Sequence, residues 1–521
     1  MRSRVPAMTA LALVTTLAQT QAKPVAPAFS DRSAALPVEH VYAGGWEHFV
    51  GGGVAVFDCN SDRMPDLFTA GGTNVTRLFV NETEVPGGPV AFRLGTDAPT
   101  LTGVTGAYPI NIDGDAHIDL IVLRVGENVI LRGLGDCIFD HANEAFGFDG
   151  GSAWSTSFTA TWEAEDGLPT LFVGSYVDRD DPDGPFEACD ANALFRPDQT
   201  GKRYDAPIKV APGYCALSAL ISDERRTGRR DLRISNDRHY YVRGGSEQKL
   251  RLDTLEFLDE DDGWPTVSLW GMGIAARDIT GDGRAEVMST SMGDQLLQIA
   301  TDAGYENAPF SIGTYAQKPF IGDDGRPSTG WHAQFGDVNN DGRDDLFIAK
   351  GNVDQMPSNA IEDPNNLLVQ QTNGTFIESA GTAGVATTHR ARGAALADLN
   401  RDGRLDLVVM NRRAAMEVYE NRTGDTGNWL SIAVKLPNAN TDAIGATIEV
   451  STPDGKRQTR EITIGGGHAG GTLGAQHFGL GEAREVQVKI ISPNGLQTHT
   501  FTAGANTHVA TDLNEVVVYS D

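Results

Sequence analysis

The sequence predicts an all-β chain: a seven-bladed β-propeller followed by a small β-sandwich. Three observations carry that expectation. An acidic ten-residue phrase recurs along the chain, 60 Gly and 24 Pro in 521 residues mark many turns, and no long stretch has helical periodicity. At this length one core is not expected. The formal charge is −28, from 70 acidic against 42 basic residues, so nucleic acid and anionic membrane surfaces are not expected partners.

In chain order, residues 1–22 read as an export signal. Arg2 and Arg4 form a charged start, Met8 to Leu17 an apolar run, and Thr20-Gln21-Ala22 a small-residue cleavage site. The run is too short to span a bilayer, and no later apolar stretch approaches about 18 residues, so membrane insertion is not expected. The expected location is secreted or extracellular, or the periplasm or cell surface in a bacterium.

Residues 29–424 carry the repeats. Five clear copies place oxygen-bearing side chains at positions 1, 3, 5 and 9 of a tight loop: Asp58, Asn60, Asp62, Asp66; Asn111, Asp113, Asp115, Asp119; Asp278, Thr280, Asp282, Glu286; Asp337, Asn339, Asp341, Asp345; and Asp398, Asn400, Asp402, Asp406. The main-chain carbonyl at position 7, of Met64, His117, Arg284, Arg343 and Arg404, adds another oxygen. Such alternation suits a hard cation, and the expectation is about five structural Ca²⁺ sites. An EF-hand is excluded, because position 12 of the last copy is Val409 inside an apolar β-branched run rather than a Glu. Two degenerate copies, one at Asp223 and one near Thr161 with Glu163, Glu165 and Asp166, bring the units to seven. Asp58 and Asp398 are 340 residues apart, about 57 per unit, a period that signals a propeller or solenoid.

The sixth unit shows the blade best. Trp331–Gly336, Leu346–Ala349, Asn366–Gln370 and Thr375–Glu378 read as four short strands, with the acidic loop between the first two. The seventh unit is one strand short. The N-terminal Phe29–Val38 resembles Phe376–Val385, which ends the sixth unit, and is expected to supply the missing strand.

Cys59, Cys137, Cys189 and Cys215 are an even set in an exported chain. Three pairings are open. Cys189 with Cys215, nearest in sequence, is favoured and leaves Cys59 with Cys137; four buried thiols are the alternative.

Residues 427–521 read independently as a β-sandwich, with alternation in Leu430–Lys435 and Val486–Ile490 fitting antiparallel strands, and turns at Pro453-Asp-Gly455 and Pro493-Asn-Gly495. Gly465-Gly-Gly-His468-Ala-Gly-Gly471 lacks the Lys-Ser/Thr and following helix of a phosphate loop, so it is expected to be a structural turn. His468 and His477 are expected at the surface or in the core rather than on a metal. No HExxH, GxSxG or strand-linked GxGxxG occurs, so no enzyme activity is expected. Trp154, Trp270, Trp331, His332 and Arg392 lie on first strands, which line a propeller's axis; packing is their expected role, and a ligand site at the channel mouth is the alternative.

Phe335-Gly-Asp-Val and its loop resemble the FG-GAP (VCBS-type) repeats of integrin α-subunits. Asp442–Thr447, Arg460–Gly467 and His477-Phe-Gly-Leu-Gly481 resemble the ASPIC/UnbV domain. Together they give the layout of the cartilage acidic protein 1 family. That resemblance implies secretion, calcium and extracellular contact with a protein or glycan; units three and four depart from it in having lost most of their acids, and are not counted among the metal sites.

Overall fold

The computed structural model describes residues 25–521 apart from 183, 185–186, 238–244, 316, 322–324 and 520–521. Residues 1–22, expected to be an export signal, lie outside the described residues.

Seven antiparallel sheets form a closed ring. Their first strands are Val54–Phe57, Val104–Ile110, Ser155–Thr161, Ala216–Ser222, Gly271–Arg277, Gly330–Gly336 and Ala391–Ala397, each beside the next, and the last returns to the first. Gly393 N donates to Gly52 O at 3.0 Å across that closing joint. The second strands, such as Asp345–Lys350 and Asp406–Asn411, are buried along their whole length because a neighbouring blade covers each face. That is why they read as unbroken apolar runs rather than alternating ones. Blade four departs from the pattern, with three strands among the described residues.

The N-terminal segment closes the ring as its resemblance to Phe376–Val385 predicts. Phe29–Asp31 pairs with Glu417–Asn421 as the outer strand of blade seven, in register Phe29 to Asn421. Arg32 N donates to Val418 O at 2.7 Å, and the Arg32 guanidinium meets Glu420 at 2.7 Å. Two disulfides tie neighbouring blades: Cys59–Cys137 joins blades one and two, and Cys189–Cys215 joins three and four.

The C-terminal region is two four-stranded sheets packed over Leu430, Ile432, Ile448, Val488 and Ile490. One pairing differs from the antiparallel expectation: Asn428–Val434 and Thr507–Thr511 run parallel at the centre of their sheet. Among the described residues no helix is long and apolar enough to cross a membrane.

The sandwich is not an independent unit. Between its strands Arg457–Glu461 and Gln476–Gly481 the chain leaves the domain and enters the propeller channel. There Thr159 Oγ1 donates to Ile464 O (2.6 Å), and Gly466 N and Gly467 N donate to Ala219 O (2.7 Å) and Ile274 O (2.6 Å). His468 N donates to His332 Nδ1 (3.0 Å), Ala107 N to Ala469 O (3.1 Å), and Val56 N to Gly471 O (3.0 Å). Blade seven approaches as Gly393, where an added Cβ would lie 3.1 Å from His468 O. In one circuit the segment touches all seven blades.

Backbone can come this close because side chains are missing on both sides. A Cβ on Gly53 would sit 1.7 Å from Ala469 O, and one on Gly106 2.2 Å from it. Gly53→Val is therefore expected to push the segment off its seat, costing about 1–3 kcal/mol as overpacking does. Limited proteolysis should then cut near Gly467 in the variant and not in the parent chain; equal resistance would show that the channel has slack.

Candidate functional site

The five acidic loops share one backbone cage, built from the acids themselves. The position-1 carboxylate accepts N–H groups from further along its loop: Asp58 from Asp62 and Arg63, Asp278 from Gly281 and Gly283, Asp337 from Asp341 and Gly342, Asp398 from Asp402 and Gly403. The position-5 carboxylate then accepts the N–H of position 7, at 2.7 Å for Asp62 with Met64 and Asp115 with His117. The same bond joins Asp282 to Arg284 (2.8 Å), Asp341 to Arg343 (3.1 Å) and Asp402 to Arg404 (2.9 Å). Gly283, Gly342 and Gly403 hold φ between +78° and +94° at position 6, where the turn needs it. In the second loop Asn111 takes the first position, and its amide donates to Asp115 O at 2.6 Å.

The position-9 acids also hold the blade together. One oxygen of Asp66, Asp119, Asp345 and Asp406 accepts the position-2 N–H, and the other accepts an N–H on the third strand, of Asn81, Gly133, Gln370 and Asn421. Glu286 is the exception. Its Oε2 accepts from Ile279 N at 3.0 Å, while its Oε1 is buried without a hydrogen-bond partner among the described residues.

Electrostatically these loops are short of positive charge. Burial, reinforced by neighbouring carboxylates, pushes Asp66 and Asp398 up to about 7 and Asp119 and Glu286 to about 8. Asp337, Asp345 and Asp406 are raised well above the usual carboxylate range for the same reason. Arginines compensate in part: Arg343 reaches Asp341 at 2.5 Å, Arg404 meets Asp402, and Arg132 from the third strand of blade two meets Asp113 at 2.7 Å. An all-oxygen donor set, tightly caged and in the Asp278 loop with an orphaned carboxylate oxygen on Glu286, fits a hard divalent cation.

The two degenerate loops solve the same problem differently. In blade three Trp162 follows the first strand where the other loops have their first ligand, and its Nε1 donates to Gly167 O at 3.1 Å. In blade four Arg229 pairs with Asp231 at 3.1 Å, and the adjoining buried Glu224 is clasped by Arg233 (2.9 Å) and Lys249 (2.8 Å). An indole and cationic side chains stand where acids are missing. Cys59, Asp66 and Cys137 also converge, but the two sulfurs are bonded to each other.

All seven loops lie on one face, and the sandwich sits on it. Arg63 stacks 4.4 Å from the Tyr519 ring, Asn111 bonds Thr441 (2.9 Å), and Glu165 bonds Asn494 (2.7 Å). Glu461 accepts from Asp223 N (2.9 Å), and Gly281 O from Arg457 (3.4 Å). Asn340 meets His477 at 2.7 Å, and Gly403 packs on Trp429.

Four of the five channel-mouth residues are closed to a ligand, because the glycine-rich segment fills the channel. Trp154, Trp331 and Arg392 are fully buried, and His332 is 4% exposed. Trp331 donates to Gly351 O (2.7 Å), lies under the Arg392 guanidinium (4.0 Å) and packs on His468. Arg392 is spent on main-chain carbonyls, those of Phe49 (2.9 Å) and Val353 (2.6 Å) among them. Burial holds His332 near 4 and His468 near 3, so both rings are neutral spacers. Trp154 packs away from this group, against Trp46 and Tyr176. Trp270 alone of the five lines an open groove, about 360 Å³ beside Met292 and Lys318 on the opposite face.

The FG-GAP-like repeat family matches residues 337–409, and the ASPIC and UnbV family matches 436–514. The chain is an FG-GAP propeller with a C-terminal ASPIC/UnbV domain. Cartilage acidic protein 1 of Mus musculus is 30% identical over 154 residues, which cover 29% of this chain and 22% of that protein. The Homo sapiens protein of the same name is 44% identical over 57 residues, 11% of this chain and 9% of that one. The aligned parts thus span under a quarter of these relatives' length. Among solved structures, BBS1N in complex with ARL6DN aligns at a TM-score of 0.46 and 10% identity, over 78% of this chain and 99% of that one. The matched ASPIC/UnbV residues include the whole channel segment.

Proposed function

We propose that this protein is an exported, calcium-binding propeller that serves as a non-catalytic extracellular binding or adhesion module. The observation that carries the reading is the five-fold repetition of one caged, oxygen-only loop whose buried carboxylates are held above their usual range. Asp278, Thr280, Asp282, the Arg284 carbonyl and Glu286 would hold one ion, and the equivalent sets at Asp58, Asn111, Asp337 and Asp398 the others. Calcium supplies positive charge there and no reaction step. Pinned loops in turn give the ASPIC/UnbV domain a fixed floor, because every loop touches it. The two disulfides and the signal-like N-terminus support an oxidising, extracellular setting. With the channel filled, ligand contact falls to the exposed rim and the outer strands. A glycan and peptide array probed with and without Ca²⁺ tests this reading: calcium-dependent retention of an unaltered protein or glycan ligand is expected, and conversion of a ligand to product would sink it.

A further inference from the structure

The fourth blade carries an arginine-rich loop beside the Asp278 loop of blade five. Its loop has lost acids and gained Arg225, Arg226, Arg229 and Arg230 in a chain of formal charge −28. Two of these line an open cleft of about 440 Å³ where blades four and five meet the ASPIC/UnbV domain, together with Arg284 of blade five and Arg457 of the sandwich. Four guanidiniums face three carboxylates there. Arg226 bonds Glu449 at 2.6 Å, and Arg284 bonds Asp282 at 3.2 Å and Asp302 at 2.7 Å. Arg225 and Arg457 meet main-chain carbonyls, of Asp302 at 2.6 Å and Gly281 at 3.4 Å. The Nε of Arg225 is buried with no hydrogen-bond partner among the described residues. Each guanidinium carries five N–H donors in a rigid fork, so the donors gathered here far outnumber the acceptors they meet.

We propose that this cleft binds a compact tetrahedral oxyanion, the sulfate or phosphate ester of a small ligand. Planar forks converging from three elements match such a group, as charge-assisted bidentate bonds do elsewhere. The acidic remainder of the surface repels long polyanions, which limits the ligand to one or two charged groups. Because the forks come from blade four, blade five and the sandwich, the site exists only while the ASPIC/UnbV domain is seated.

The test is calorimetric titration of the whole mature chain, in millimolar Ca²⁺, with inorganic sulfate, inorganic phosphate, glucose 6-sulfate and glucose 6-phosphate. One saturable site is expected, and the tighter of the two sugar esters identifies the source of the oxyanion. Arg457→Gln and Arg226→Gln should each weaken it about tenfold, in line with a lost hydrogen bond to a charged group. Arg457→Lys, which keeps the charge and loses the fork, should weaken it as well. Arg93→Gln, whose half-exposed partner Glu82 lies 3.2 Å away on blade one, should change nothing. No saturable binding of any of the four anions, or equal affinity in all variants with melting unchanged, would overturn the proposal.

Discussion

A chain beginning at Glu39 is expected to be far less stable than one beginning at Val25, and to aggregate. The difference is the segment that closes the ring. Without it Glu417–Asn421 loses its partner strand, Val418 O and Arg422 N lose their bonds to Arg32 and Ala28, and the buried Glu420 loses the Arg32 guanidinium. Backbone hydrogen bonds at roughly 1 kcal/mol each, with the buried Glu420 left to Arg422 as its one remaining ion-pair partner among the described residues, sum to several kcal/mol. That is a large share of the 5–15 kcal/mol typical of a folded domain. The exposed edge is also a template for association. Size-exclusion chromatography and thermal melting check both effects: a Glu39 chain as monomeric and as stable as the Val25 chain would mean that the ring closes without this strand.

Chelation is expected to produce the second large effect. A ligand present at one hundred times its Kd adds about 2.7 kcal/mol per site to the folded state. Five sites would add about 13 kcal/mol, as much as the whole stability of many domains. For a chain of this size that corresponds to roughly 10 °C in melting temperature. The loss should also show in domain seating, since loops that carry uncompensated carboxylates are the floor under the sandwich. Transfer from millimolar Ca²⁺ to EDTA should therefore lower the melting temperature and open the channel segment near Gly467 to protease. Superimposable melting curves would remove calcium from the account of stability.

The blades were legible in the sequence because the repeat is local. Each loop's ligands, turn glycine and following strand lie within about a dozen residues, and Phe29–Val38 could be placed on blade seven because the same pattern recurs at Phe376–Val385. The channel was not legible. Ala469 touches Gly53, some 400 residues away, and no local pattern reports such a contact. A trace existed: Gly53, Gly106, Gly273 and Gly393 interrupt or adjoin otherwise well-formed first strands, and a strand glycine marks close approach of another backbone. Packing is the role the sequence favours for Trp331, His332 and Arg392, and the structure buries all three, but what they pack against could not be read without the channel's occupant. The position-9 acids were read as ligands alone because the third-strand N–H groups they accept lie 14 to 25 residues downstream. Blade three was harder still, since Trp162 replaces the first ligand with an indole that carries no acidic signature.

Five of the seven loops are expected to hold calcium and two are not. Equilibrium dialysis of the whole mature chain against ⁴⁵Ca²⁺ measures it directly, with Asp341→Ala and Asp223→Ala beside the parent. About five ions per chain are expected, with one lost in Asp341→Ala, where the cage at Asp337 is complete, and none in Asp223→Ala, where arginines stand in for the metal. A chain that binds no calcium at millimolar concentration, or that loses the same amount in both variants, would contradict it.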